Sequence, residues 1–202
     1  MNKKFWVLVL AICVLLPITL SAEVVDLSIG GTAQYGVAAG NVGDDFGEQL
    51  VDLENYRFGA EARVKLLILE ATDIALFGPT DDGWEVSNLM TVGLSFDLLN
   101  LVRLGVALGP EFIVNFNDDG KIYQEDGVTL FDFADIFMKA NCTYKVNADI
   151  LLGGITLSAN YTVPSKGFNI QNIVDGGFTA DSLSPEAFED GRFGISVLIS
   201  LI

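Results

Sequence analysis

The segment 102–116 alternates apolar and polar residues with a period of two, which is typical of a β-strand and not of a helix. Its odd positions are small or polar, as at Arg103, Gly105 and Glu111. At ~3.3 Å per residue and a tilt near 45°, a strand of this length rises roughly 30 Å, the thickness of a bilayer's hydrocarbon core. The pattern therefore predicts a strand long enough to cross a membrane. The large apolar residues occupy the even positions, Val102, Leu104, Val106, Leu108, Phe112, Val114 and Phe116.

Seven further segments fit the same template, and eight is an even number of strands that closes an antiparallel barrel. The third segment fits least well, because it is short and alternates only partly, through Ile74 and Leu76. The sequence thus predicts an all-β fold, an eight-stranded antiparallel up-and-down transmembrane β-barrel. The predicted strands are 25–39, 56–68, 69–78, 90–98, 102–116, 134–146, 155–163 and 192–202.

Connections between these segments alternate between short and long. Short periplasmic turns and longer extracellular loops are typical of outer-membrane barrels. Both chain ends then lie on the side of the short turns. The short connections are 67–72, 99–100 and 147–153, and the long ones are 40–54, 79–86, 117–132 and 164–190.

The two-residue period does not by itself say which face of the sheet is outside. A secreted, soluble lipocalin-like barrel also alternates, with its apolar side chains inward around a ligand. Its outer face would be rich in Lys and Glu, whereas the polar face of 102–116 alternates small residues with a few charges of both signs. That composition suits a narrow barrel lumen. We therefore predict that the apolar face points outward, with the soluble binding barrel as the alternative.

The N-terminal residues have the pattern of a secretory signal peptide. Lys3 and Lys4 precede an apolar run over 5–16, Pro17 breaks the run, and Ser21-Ala22 offers a small-residue cleavage site. The apolar run is short for a transmembrane anchor. We predict that residues 1–22 are removed and that residues 23–202 form one barrel domain.

Basic residues of the mature chain fall mostly on polar strand faces. The chain has 27 acidic and 11 basic residues; Lys3 and Lys4 leave with the signal peptide. Side chains of both signs inside an eight-stranded barrel would pair and fill the lumen. We predict a polar network that blocks the lumen, with a narrow ion path as the alternative. Its members are Arg57, Glu61, Arg63, Lys65, Asp97, Arg103, Glu111, Asp135, Lys139, Lys145 and Arg192.

The predicted loops are strongly acidic, and only Lys121 and Lys166 carry positive charge there. This charge excludes nucleic acid and other polyanions as partners. A cationic or protein partner at the loops is compatible with it. The acidic loop residues are Asp44, Asp45, Glu48, Asp81, Asp82, Asp118, Asp119, Glu125, Asp126, Asp175, Asp181, Glu186, Glu189 and Asp190.

In this pattern the mature chain resembles the small eight-stranded outer-membrane β-barrels of the OmpA, OmpX and OmpW kind. One local match supports the resemblance: Arg192, Gly194, Val197 and Ile199 fit the signal by which the barrel-assembly machinery recognises a last strand. The resemblance implies a bacterial outer-membrane location, contact with lipid, and the assembly machinery as a partner during biogenesis. We expect a monomer.

The chain contains no histidine. The outer-membrane barrel enzymes that it might resemble, a palmitoyltransferase, a lipid A deacylase and the omptin proteases, all depend on one, so we predict no enzyme. Cys142 is the single cysteine of the mature chain, which excludes an internal disulfide and a zinc site of several cysteines. We predict no catalytic residue, cofactor or metal site. Two functions remain, a structural or surface-interaction barrel and a small pore or carrier for ions or small apolar solutes.

Overall fold

A computed structural model describes residues 25–41, 46–80, 83–98, 100–117, 122–123, 137–177 and 179–202. The predicted signal peptide and its cleavage site therefore lie outside the described residues. So do Asp135 and most of the acidic loop positions, Asp44, Asp45, Asp81, Asp82, Asp118, Asp119, Glu125 and Asp126.

Eight antiparallel strands form a closed ring in which each strand pairs with its neighbours in the chain. The ring closes between β1 and β9, and β4 pairs with β5 to complete it. The two-residue strand β6 pairs only with the end of β5. This topology confirms the predicted all-β, eight-stranded up-and-down barrel. The strands are β1 (Val25–Tyr35), β2 (Tyr56–Leu66), β3 (Leu69–Thr80), β4 (Gly83–Leu98), β5 (Val102–Asn117), β6 (Ile122–Tyr123), β7 (Asn141–Leu151), β8 (Ile155–Asn169) and β9 (Arg192–Ser200).

The barrel has a turn end, with the connections 67–68, 99–101 and 152–154, and a loop end at the opposite rim. The tightest connection joins β2 to β3, where Leu66 pairs directly with Leu69. Leu67 adopts the left-handed conformation there, with φ of +57°. The last described residues of the chain also lie at the turn end, because β9 runs from the loop end to Ser200.

Side chains on the wall of the barrel follow the pleat, with apolar groups outward and polar groups inward. Val106 on β5 is 50% exposed although it lies within a strand. Arg103, three residues earlier on the same strand, faces the lumen and is buried. This arrangement is the reverse of a soluble lipocalin-like barrel, so the outward direction predicted for the apolar face is correct. Other exposed apolar residues of the wall are Ile29, Val64, Val92, Val146, Ile150, Leu157, Ile195, Val197 and Ile199.

Several predicted strand boundaries are wrong, and the two largest errors are at the starts of β7 and β4. The segment predicted as 134–146 forms its strand over Asn141–Leu151, so most of the predicted turn at 147–153 belongs to β7. The predicted long loop at 79–86 is a hairpin in which Thr80 pairs with Gly83. Both errors have one cause, since polar residues such as Glu85 and Asp149 are signals for a loop unless they face a polar interior.

The third strand is regular, but its apolar residues do not all face outward as they do on the other strands. Pairing with β2 in the register Leu66 to Leu69 sends the odd residues of β3 outward and the even ones inward. Ile74 and Leu76 therefore lie inside the barrel, where they form a small apolar cluster with Leu89 of β4. The interior is polar on most sides and apolar on this one.

Candidate functional site in the barrel lumen and at its rim

The centre of the lumen is occupied by Arg63, which is 1% exposed. Its guanidinium donates to Glu61 on the same strand at 2.7 Å and to Asp149 on β7. It also donates to Ser158 on β8 at 3.2 Å. Because β2 and β7 are four positions apart in a ring of eight, the Arg63 to Asp149 pair spans the full width of the lumen.

A second ion pair crosses the lumen between the same two strands, with the base on β7 and the acid on β2. Lys145 on β7 is fully buried, and its Nζ lies 3.1 Å from a carboxylate oxygen of Glu61 on β2. The same ammonium group donates to Thr72 at 3.3 Å. Glu61 accepts a further hydrogen bond from Ser196 on β9. This carboxylate therefore binds groups from three strands.

A separate cluster lies nearer the turn end. Asp97 lies between two bases, with one oxygen 2.5 Å from Lys65 and the other 2.7 Å from Arg103. Arg103 on β5 also reaches Asp26 on β1 at 2.8 Å. Strands β1 and β5 are again directly opposite in the ring. The lumen is thus crossed by ion pairs at two levels.

At the loop end the charged groups pair with nearer strands. Arg57 on β2 lies 3.0 Å from Glu85 on β4, and both side chains are slightly more exposed than the central ones. Glu111 accepts a hydrogen bond from Thr143 at 2.7 Å. Arg192 faces the lumen from the first residue of β9 and is half-buried.

Small residues of the wall are required where polar side chains fill the space. A Cβ atom added at Gly105 on β5 would lie 2.4 Å from the amide oxygen of Asn147 on β7. Asn147 in turn donates to Asp149 at 3.1 Å. Glycine at this position therefore leaves room for the polar network. The small residues on the polar face of 102–116 are thus explained by the side chains that fill the lumen.

Charges inside the barrel are nearly balanced. Within the described strands, seven carboxylates and six bases face inward. Five of the bases form ion pairs with these carboxylates, namely Arg57, Arg63, Lys65, Arg103 and Lys145. Among the described residues, no group of three or more His, Cys, Asp or Glu side chains is arranged to hold a metal ion. The carboxylates are Asp26, Glu61, Glu70, Glu85, Asp97, Glu111 and Asp149, and the bases are Arg57, Arg63, Lys65, Arg103, Lys145 and Arg192.

Most residues predicted for the lumen network lie inside the barrel, and one does not. Lys139 precedes β7 and is exposed, so its prediction as a lumen residue is wrong. The cause is the shifted boundary of the strand, which had been extended back over Lys139. Asp135 lies outside the described residues.

Four carboxylates of the network were not predicted. Asp149 and Glu85 had been assigned to connections, and Glu70 lies on the strand with the weakest alternation. Asp26 lies within the first predicted strand, but its partner Arg103 is distant in sequence. One signal in the sequence could have identified Asp149: it is an even number of residues from Lys145, so the two side chains face the same way if the strand continues that far.

Outward tyrosines at the loop end bind the loops. On β1 and β2, Tyr35 donates to Gln49 at 3.2 Å and Tyr56 to the carbonyl of Leu50 at 2.9 Å, and both acceptors belong to the short helix Phe46–Val51. On β7 and β8, Tyr144 donates to the carbonyl of Leu183 and Tyr161 to that of Phe188. The first and last loops are thus fastened to the outer rim.

These tyrosines belong to a band of aromatic residues near the loop end. Ring centroids are 5.4 Å apart for Tyr35 and Tyr56, and 4.5 Å apart for Tyr161 and Phe193. Phe77 stacks on Trp84 at 4.6 Å. Tyr144 also lies near the loop end, because β7 begins at Asn141 on the loop side.

The predicted assembly signal lies on β9. Gly194 faces the lumen against Asn160, whereas Val197 and Ile199 are exposed on the outer wall. Arg192 opens the strand at the loop end. Their role in assembly stays a prediction.

Comparison with known proteins gives a likeness of overall fold. No protein-family model matches the chain, and no curated protein is a significant relative. The Yersinia pestis outer membrane protein Ail, solved in a phospholipid bilayer nanodisc, is similar with a TM-score of 0.44 and 13% identity over 87% of this chain and 99% of that one. Neisserial surface protein A has a TM-score of 0.40 and 11% identity over 87% of this chain and 94% of its own. These values are low, so the fold assignment rests on the strand pairing described above.

Proposed function

We propose that this protein is an integral β-barrel of a bacterial outer membrane, with a lumen blocked by polar side chains and a structural or surface-interaction role carried by its loops. The apolar outer wall supports the membrane location. A continuous wall of exposed Val, Ile and Leu side chains is unfavourable in water and favourable in lipid. A closed barrel also leaves no backbone group unpaired in hydrocarbon. Among the described residues, no helix is long and apolar enough to cross a membrane.

The observation that carries the proposal is the pair of ion contacts across the lumen, Arg63 with Asp149 and Lys145 with Glu61. An eight-stranded barrel is just wide enough for side chains to fill. Charges that are buried without a partner cost several kcal/mol, so a paired arrangement is strongly favoured over an open, one-signed path. We therefore expect little conduction.

The surface role is supported by the loop that follows β8. Its acidic side chains at Asp175, Asp181, Glu186, Glu189 and Asp190 are exposed, and it is held to the rim by Tyr144 and Tyr161. A fixed acidic surface suits a cationic or protein partner better than a polyanion. During biogenesis we expect the barrel-assembly machinery to bind β9 through Gly194, Val197 and Ile199.

Planar-bilayer recording of the refolded protein tests the blocked lumen. The native chain should give no openings, or rare and small ones. The double variant Arg63→Ala/Asp149→Ala, which removes the central pair, should open more often. The matched control is Val106→Ala/Val146→Ala, because these two residues pair across strands on the outer wall.

Frequent, large and steady openings of the native barrel would contradict the proposal and favour the pore or carrier. Folding is checked first on the same sample, by a β-sheet circular dichroism spectrum and by a difference in gel mobility before and after boiling, because a closed barrel resists detergent and unfolds only when it is boiled. Recovery of the native protein in soluble form would instead favour the lipocalin-like alternative.

A further inference from the structure

The apolar outer wall is interrupted at one place. Asp73 on β3 faces outward and is exposed, and among the described strands the only other exposed acidic or basic side chain is Lys166 near the loop end of β8. Its hydrogen-bond partner is Asn88 of the neighbouring strand β4, which also faces outward. Every other acidic or basic residue of these strands before Lys166 faces inward.

Asp73 lies near the middle of the wall. It is four residues after Leu69 at the turn end and seven before Thr80 at the loop end, and it pairs with Ala62 and Met90. In the proposed membrane location this height corresponds to the hydrocarbon core. Ionisable groups there are costly and mark functional contacts.

The polar pair uses only part of its hydrogen-bonding capacity. Asn88 donates one N–H to Asp73 at 2.6 Å. The same nitrogen is 3.5 Å from the carbonyl of Ile74, which is at the limit of a hydrogen bond. An amide carries two donors and a carboxylate accepts several hydrogen bonds. The second N–H of Asn88 therefore has only this long contact with Ile74, so it can turn to a stronger acceptor on a neighbour in the membrane, and the Asp73 carboxylate can accept a further hydrogen bond.

The surroundings of the pair are small on the β2 side, whereas its cross-strand partners on the other side, Met90 opposite Asp73 and Phe112 opposite Asn88, are large. Phe58 and Phe77 stand above it on the loop side, and Val64 and Val92 stand below it on the turn side. Between them the wall is shallow, so another surface of the same kind approaches closely, as small residues allow between membrane segments. The small residues around the pair are Gly31, Ala60, Ala62, Ala71 and Ala75.

We propose that this face of β2, β3 and β4 binds a second copy of the chain across a two-fold axis. The donor and acceptor are on one patch, so two copies complement each other: each Asn88 gives its second N–H to the second copy's Asp73. A two-fold interface uses the same patch on both subunits and closes with two copies. This inference rests on the proposed membrane location, and it replaces the monomer expected from the sequence.

Cysteine crosslinking in phospholipid vesicles tests the interface in a Cys142→Ser background, where no native cysteine of the mature chain remains. Ala71→Cys, beside Asp73, should crosslink to itself. The matched control is Ala159→Cys on β8, an outward alanine on the strand directly opposite β3. It should stay uncrosslinked.

Photobleaching or energy transfer between labelled barrels at several protein-to-lipid ratios measures the affinity. Asp73→Leu/Asn88→Leu should weaken dimerisation about tenfold or more, since two symmetric hydrogen bonds are lost. Val146→Leu, an outward residue of β7 away from this face, should leave it unchanged. The leucine variant should keep the gel shift on boiling, which separates a lost contact from a lost fold.

Three results would overturn the inference. One is a barrel that inserts but remains a monomer at every density, which leaves the proposed function intact. Another is crosslinking through Ala159→Cys that equals the crosslinking through Ala71→Cys. The last is a chain that does not bind vesicles, which removes the proposed function as well.

Discussion

Arg63 and Asp149 form an ion pair across the whole lumen although they are 86 residues apart in sequence. One lies on β2 and the other on β7, and both are almost completely buried. Asp149 also accepts from Ser158 at 2.6 Å and from Asn147 at 3.1 Å. The pair therefore joins opposite walls and is embedded in further hydrogen bonds.

Asp149→Ala should lower the free energy of unfolding by about 3–5 kcal/mol, because it leaves Arg63 buried with part of its charge unpaired. Reversible urea unfolding in lipid vesicles measures the change. The double variant Arg63→Met/Asp149→Leu should cost clearly less than the sum of the two single losses, since it removes both charges. Additive costs would mean that the two side chains do not interact.

Val106→Arg tests which surface meets lipid. Val106 is exposed on the outer wall, and Arg there should cost about 2 kcal/mol or more if that wall contacts hydrocarbon. Val174 is also exposed but lies in the last loop, so Val174→Arg should change the stability by less than about 0.5 kcal/mol. Equal tolerance of the two changes in vesicle unfolding experiments would contradict a lipid-facing wall.

Removing the rim hydroxyls should loosen one loop at a time. Tyr144→Phe/Tyr161→Phe deletes the hydrogen bonds to Leu183 and Phe188 and keeps both rings. Protease should then cleave the last loop faster, in keeping with about 1 kcal/mol for each hydrogen bond. Tyr35→Phe, which deletes the contact with Gln49, should affect only the first loop. Uniform cleavage rates in all three proteins would argue against this role.

The tight turn at the turn end should be improved by asparagine. Leu67 has a φ of +57°, a conformation that Asn adopts more readily than Leu. Leu67→Asn should therefore raise the free energy of unfolding by about 0.5–1 kcal/mol. Asn100 has a φ of +55° and allows the reverse change. Asn100→Leu should lower the free energy of unfolding by a similar amount. Thermal or urea unfolding compares the two.

The sequence determined the number of strands and the facing of most of them. Alternation needs only the pleat, so the outward direction of Val106 was predicted correctly. The boundary error in β7 does not affect the alternation of its side chains: Tyr144 and Val146 both face outward, although the strand begins later than predicted. A shift of the ends leaves the period of two unchanged.

The tertiary structure decided what each inward charge meets and how β3 faces. Ring closure puts β2 opposite β7, so Arg63 finds Asp149, which the sequence had placed in a turn. The register of β2 and β3 turns Asp73 outward and Ile74 inward, against the simple assignment of apolar residues to the outer wall. Both depend on hydrogen bonding between strands. A local pattern specifies alternation within a strand, whereas register and closure are fixed only when all eight strands have paired.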